Sequence, residues 1–387
     1  MHVLIPALHR PTKPTGVCRH AANLAQCLVD LDHVNLVTLI IGKWQEPYFE
    51  HSFNLNSPKI ELLTIDITNS SVARNRWFVF TLPKIAHQLQ PDIIHLSFPF
   101  PFVRKWYGVP VVSTIHDLYP FQCPENFGYP QAWFNRWFLK QCIDNSNGLS
   151  CVSQVTLDSL NQYFPQAAVN QHRAVIYNYV EFDHSEVNAP QLFLEDKASS
   201  STSDQLESKF ILCVAQHRKN KNLDLLIRAY AQLRKERSID DSIKLVLVGS
   251  SGPETQSIHE LVEKSALSEQ VIFLSALPDQ ELCWLYKNCT LFVVPSSAEG
   301  FCLPLIEALF WGCKVVCSDI PIFREVGSNE CLYFDLENNS MTELMEAIVH
   351  AIYTIPSGLS TVNSDFIKEN IAQKLMKFYS SVDAAAV

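Results

Sequence analysis

Glu299 and Glu307 bracket the stretch of this chain best equipped for chemistry: Pro295-Ser296-Ser297-Ala298-Glu299-Gly300-Phe301-Cys302-Leu303-Pro304-Leu305-Ile306-Glu307. The apolar run Leu291–Pro295 reads as a strand, and the small residues after it as a turn. Pro304 suits the first turn of a helix that begins near Leu303. At such a start the amides of Gly300, Phe301, Cys302 and Leu303 lack intrahelical partners, and with the helix dipole they attract an anion. Gly300 lets the backbone approach a ligand closely. Glu299 stands before the helix and Glu307 about one turn inside it, so both can face one side and accept hydrogen bonds from vicinal hydroxyls of a ribose or hexose. A cap at Glu299 and a solvated or dipole-pairing Glu307 is the alternative. Spacing alone does not choose between them. A second segment, Val214-Ala215-Gln216-His217-Arg218-Lys219-Asn220-Lys221-Asn222-Leu223, is a basic turn between a strand and a helix.

The elements that must hold these residues alternate from end to end. Short β-rich apolar runs trade places with helical patterns, which argues for α/β architecture with parallel sheets. In the first half the strands fall near His2–Pro6, Val34–Ile41, Ile60–Ile65, Ile93–Leu96, Val109–His116, Gly148–Val152 and Ala174–Tyr177, with helices after Gly16 and over Trp77–Gln88. The polar stretch Glu181–Ser208 interrupts the pattern and reads as a linker or surface loop. The alternation then resumes at Phe210 and closes with helices over Met341–Ile352 and Ser364–Ser381. With 387 residues, two domains are expected. The boundaries read 1–178 for the first, 179–208 for the linker and 209–363 for the second, with 364–387 packing back onto the first. Two such halves place a ligand site at the C-terminal strand ends, between the halves.

Bulk properties exclude several classes. No apolar run approaches the roughly 18 residues of a membrane span, and the start reads as a buried strand rather than a signal peptide. The twelve cysteines are scattered, without a Cys-x-x-Cys, and read as reduced thiols of a cytoplasmic protein. Net charge is −10, an unfavourable balance for nucleic acid. It is uneven: residues 1–178 hold 13 Lys+Arg against 11 Asp+Glu, so the first half is mildly basic and the rest acidic. Pro99–Tyr107 mixes aromatic and basic residues, which suits a membrane interface; a surface loop with its aromatics turned inward is the reading the sequence favours.

Glu299 and Glu307 with Gly300-Phe301 and Leu303-Pro304 between them resemble the E-x7-E signature of retaining glycosyltransferases of the GT-B fold, especially family 4. Asp279-x-Glu281-Leu282-x-x-Leu285-Tyr286 before it, and Gly312–Pro321 with Arg324-Glu325-Val326 after it, extend the match over roughly 210–335. The resemblance implies two Rossmann-like domains facing across a cleft. It implies that Glu299 contacts the transferred sugar, that Glu307 contacts the donor's ribose, and that an arginine and a lysine hold the diphosphate in place of a metal. Lys221 matches that lysine. Arg218 is the substitute for an arginine that the family sets after a glycine, where this chain has Ala215-Gln216. Cys302 departs from the family's usual glycine or small residue. Gly16 resembles the family's glycine loop near the donor phosphates and acceptor. His116-Asp117 matches its His-Asp pair at the cleft wall, and Asn178 its strand-end asparagine. Asp92 and His95 match as well, in a structural role.

The expected activity is therefore transfer of a hexose, with retention and without metal or other cofactor, from a UDP- or GDP-sugar to a glycan or lipid-linked acceptor in polysaccharide synthesis. Specificity is expected in first-domain loops such as Phe121–Trp137, with peripheral membrane contact through that domain as an open question. A nucleotide-sugar epimerase of the same fold, a glucan phosphorylase or synthase, and a silent subunit of a transferase complex are the competing readings.

Overall fold

A computed structural model describes residues 1–13, 15–124, 127–128, 130–166, 171–180, 187–191, 209–354 and 364–383. The chain divides into two compact units, Met1–Tyr179 with Asn363–Val387, and Val180–Val362. Most of the polar stretch read as a linker lies outside the described residues.

In unit 1 seven parallel strands form one sheet in the order β3-β2-β1-β4-β5-β6-β7. They are β1 (His2–Pro6), β2 (Leu36–Gly42), β3 (Ile60–Ile65), β4 (Ile93–Leu96), β5 (Val111–Ile115), β6 (Gly148–Cys151) and β7 (His172–Val175). The central strands are buried on both faces, which is why they read as unbroken apolar runs rather than as alternation. The Gly16–Val29 helix covers one face, and the Lys368–Asp383 helix lies against it and β7 through Ile371, Leu375 and Phe378. Where Gly148 meets that last helix, an added Cβ would come within 2.7 Å of a Val382 methyl, so a larger residue would force Val382 and Phe378 to shift.

Unit 2 repeats the plan with six parallel strands in the order β10-β9-β8-β11-β12-β13: β8 (Phe210–Val214), β9 (Lys244–Val248), β10 (Val271–Leu274), β11 (Leu291–Val294), β12 (Val315–Ser318) and β13 (Leu332–Phe334). Its core joins the Leu223–Lys235 and Ser340–Tyr353 helices to one face. In each unit the strand order reverses beside the first strand, between β1 and β4 and between β8 and β11. That reversal opens the crevice where ligands of such sheets bind.

Several expectations are corrected. The Trp77–Gln88 helix belongs to a longer run, Ser71–Arg76, Trp77–Thr81 and Leu82–Leu89, whose middle piece is π-helical. The proposed loop Phe121–Trp137 begins in a short Tyr119–Gln122 helix and ends inside a Gln131–Asn145 helix. Aromatic residues on several sides of that helix hid its period. Gly16 is the first residue of its helix, not part of the preceding loop. The chain also holds one Asp-x-Asp, Asp30-Leu31-Asp32, beyond that helix's C-terminus. There Asp30 pairs with Lys368 at 2.6 Å and tethers the last helix. No described helix is long and apolar enough to cross a membrane.

Candidate active site

The site in unit 2 is made by two loops at the C-terminal ends of β8 and β11. The chain leaves β8 at Ala215, turns through Lys219–Lys221, and enters its helix at Leu223 from Asn222 in a left-handed conformation (φ 47°). Backbone and side-chain amides tie this turn to the other loop. Asn220 Nδ2 donates to Ala298 O (3.0 Å), Asn222 Nδ2 donates to Pro295 O (2.9 Å), and Ser297 N donates to Asn220 O (2.8 Å). Backbone close approach fixes the turn from the opposite side. A Cβ on Gly249 would lie 1.9 Å from Ala215 O, and one on Gly252 2.2 Å from His217 O.

Clamped this way, Lys221 meets Glu299. Their Nζ and Oε1 atoms are 2.5 Å apart, with both side chains mostly buried. Burial works against the Lys221 ammonium, yet Glu299, by charge and by hydrogen bond, holds its pKa above the usual value. The raised pKa keeps Lys221 an ammonium, in salt-bridge contact with Glu299 in one sheltered spot. Beside them Asn220 Oδ1 and Ser296 Oγ are buried without a hydrogen-bond partner among the described residues, and such orphans call for a ligand or water. Arg218 joins neither charge; its Nε donates to Gln216 Oε1 at 2.7 Å. Lys219 faces solvent.

The second glutamate is arranged differently. Its helix runs Leu303–Phe310, as the position of Pro304 indicated. Glu307 is buried, and Tyr286 OH donates to its Oε2 at 2.8 Å. Burial and then Glu307 push the Tyr286 hydroxyl well above its usual pKa, so it remains a donor. Glu307 is therefore no solvated helix residue. Tyr286 had appeared only as part of a motif, and its positioning of Glu307 was not read. Before this helix, Cys302 adopts φ 67° and ψ 72°, the left-handed region that favours glycine. Its thiol is raised well above the usual pKa, by burial and then by Glu299, and stays protonated.

Unit 1 carries a different chemistry at its strand ends. His116 lies just past β5, and its Nε2 is 2.8 Å from Ser97 O. A carbonyl can only accept, so Nε2 carries the proton. Burial lowers the pKa to about 4, and the ring is neutral with its lone pair on Nδ1. That atom has no hydrogen-bond partner among the described residues. It can therefore accept from a sugar hydroxyl but cannot donate to a phosphate.

His116 is held edge-on by His20 (centroids 4.7 Å apart) and stacked by Phe98 (5.9 Å). His20 stands one turn into the helix that Gly16 begins, and anchors a buried chain of bonds. Tyr379 OH donates to His95 Nδ1 (2.6 Å), and His95 Nε2 donates to Thr114 Oγ1 (2.8 Å). Thr114 then donates to His20 Nε2 (3.1 Å), and His20 Nδ1 to Asn178 Oδ1 (2.5 Å). One donor sense satisfies every member. Asn178 thus fixes His20, and His95 is structural. Asp92, also structural, accepts from His2 N at 2.6 Å. His20 and Ser97 were not singled out from sequence; each lies far along the chain from His116.

Two family models match the chain: "Glycosyltransferase Family 4" over residues 14–184 and "Glycosyl transferases group 1" over 195–352. The chain belongs to the family 4 glycosyltransferases. Among relatives of this glycosyltransferase, the O-antigen chain mannosyltransferase RfbU of Salmonella typhimurium is 26% identical over 360 residues, 90% of each chain. Its fold matches HepE of Anabaena, solved with UDP and glucose (TM-score 0.64, 18% identity, 100% of this chain and 99% of that one). It also matches WaaG, a glycosyltransferase of lipopolysaccharide biosynthesis (TM-score 0.65, 15% identity, 100% and 98%). These two sheets with their helices are the GT-B fold.

Proposed function

We propose that this glycosyltransferase moves a hexose, with retention and without a metal, from a nucleotide-diphosphate sugar to a glycan or lipid-linked acceptor of polysaccharide synthesis in the cytoplasm. The observation that carries the donor reading is the buried Lys221–Glu299 pair held by two interlocked loops at the strand-order reversal of unit 2. The UDP-bound neighbour of the same fold supports a nucleotide donor, and the O-antigen relative supports a hexose and a polysaccharide acceptor.

In this reading Lys221 turns from Glu299 toward the diphosphate, and Arg218 and the amides of 300–303 add positive charge. Glu299 accepts from hydroxyls of the transferred sugar, and Glu307, aimed by Tyr286, accepts from the ribose. Gly16 lets the start of its helix approach the substrates closely. His116 Nδ1 accepts from a sugar hydroxyl. The bond from C1 of the sugar to the phosphate oxygen breaks, and its electron pair goes to the phosphate. The acceptor oxygen bonds to C1 on the same face, and its proton passes to the departing phosphate. Preorganised cations stabilise the charge that develops there.

The test is calorimetric titration with UDP and with GDP in EDTA, comparing the protein with its Lys221→Ala and Glu307→Ala variants. Micromolar binding of one nucleotide, weakened by both substitutions, is the expected result. Binding of neither nucleotide would remove the donor site from this reading.

A further inference from the structure

Unit 1 carries a surface that its catalytic residues do not use. In the helical run from Ser71 to Leu89 the π-helical piece keeps Trp77 and Phe78 in the core, where Phe78 stacks on Phe100, and turns Phe80 outward. Phe80 is 56% exposed and meets Trp106, 43% exposed, with centroids 5.9 Å apart. Val72, Phe80 and the basic Arg76 and Lys84 recur every four residues on this exposed side. Arg104 and Lys105, also exposed, precede Trp106. The expectation that the Pro99–Tyr107 aromatics turn inward holds for Phe100, Phe102 and Tyr107 and fails for Trp106.

Charge separates this surface from an ordinary apolar patch. From residue 67 to residue 116 the chain exposes four basic side chains, Arg76, Lys84, Arg104 and Lys105, with Arg74 buried, against one acid, Asp92, in a protein of net charge −10. Asp92 is already engaged by His2 N. The Gln131–Asn145 helix prolongs the aromatic surface. Gln141 exchanges bonds with the backbone of Phe102, and Asn145 accepts from Arg104 N. On the same i, i+4 row, toward the helix start, stand Trp137 and Trp133, 51% and 57% exposed. Tryptophan and phenylalanine ringed by lysine and arginine match the headgroup layer of a bilayer, where aromatic rings sit at the interface and cations meet anionic lipid.

We infer that this face of unit 1, centred on Phe80 and Trp106, docks the protein on an anionic lipid bilayer. The inference does not rest on the donor assignment, and nucleotide titration tests that assignment separately.

The test is flotation with phosphatidylcholine vesicles, with and without phosphatidylglycerol. The protein is compared with Phe80→Ser/Trp106→Ser, with Arg104→Glu/Lys105→Glu, and with Tyr353→Ser as an exposed aromatic control in unit 2. The protein and the control should float with the phosphatidylglycerol vesicles. The aromatic pair of substitutions should weaken that binding about tenfold, and the charge pair should abolish the preference for anionic lipid and its salt sensitivity. Melting temperature and nucleotide binding should be unchanged. Failure of the protein to float, or unchanged flotation of both double variants, would overturn the inference. So would a dimer that Phe80→Ser/Trp106→Ser converts to a monomer, because a second copy would then cover the face.

Discussion

The two units share one topology and put opposite electrostatics at its working end. Unit 2 concentrates charge there: Lys221 and Glu299 in contact, and Glu307 buried under Tyr286. Unit 1 removes it: His9, His20, His95 and His116 are all driven toward the neutral form by burial. The contrast suits two tasks. A diphosphate must be met by full charges whose partners are in place beforehand, whereas sugar hydroxyls are recognised by directed lone pairs that bring no net charge. A strand order can supply the location, but only the loop residues decide which of these it becomes.

Breaking the charged end should have the largest effect. Lys221→Ala leaves Glu299 buried without its cation and removes the group proposed to meet the departing phosphate. A loss of roughly 10²–10³ in kcat/KM is expected, measured with donor and acceptor at saturating and limiting levels. Lys221→Ala/Glu299→Ala sharpens the test. If the pair were merely structural, the double variant would regain the stability that the single one loses. In the proposed role it regains stability without activity.

The neutral end should fail in acid. His9 and His95 are held at about 3 by burial, against about 6.5 in an unfolded chain. As pH falls from about 6.5 toward 3 the unfolded state takes up protons that the folded state refuses, so stability declines across that window. Each residue then costs about 2 kcal/mol at pH 5 relative to pH 7. Hydrogen exchange followed peptide by peptide at the two pH values should show unit 1 opening first. Equal loss of protection in both units would dissolve the contrast drawn here.

What was legible in the sequence was local. The turn and helix around Glu299 could be read because Gly300 and Pro304 dictate their geometry within a few residues. The two-fold α/β alternation was legible because each buried parallel strand is an apolar run. Partners brought together by the sheet were not legible: Tyr286 meets Glu307 across 21 positions, and His20 meets His116 only once β1 and β5 lie in one sheet. β13, with three residues, is too short to show a period.

Tyr286→Phe tests the more buried of the two carboxylates. It keeps the ring's packing and deletes one hydrogen bond to Glu307, at a cost of about 1–2 kcal/mol in stability. If that bond aims Glu307 at the ribose, KM for the donor should rise about tenfold while kcat changes little. A fall in kcat alone would place Glu307 nearer the reacting atoms than the ribose.

The smallest expected effect concerns Cys302, whose left-handed backbone disfavours any side chain. Cys302→Gly relieves about 1–2 kcal/mol of steric strain but adds freedom to the unfolded chain, worth roughly 0.5–1 kcal/mol. It also gives up the buried contacts of a small side chain. These terms nearly cancel, so the melting temperature should move by no more than a few degrees. Cys302→Val should lower it clearly, because a β-branched residue tolerates this conformation least. The two outcomes separate backbone from thiol. If glycine preserves nucleotide binding while valine abolishes it, unit 2 needs the turn at 302, not the sulfur, to bring its helix start and Glu299 to the ligand.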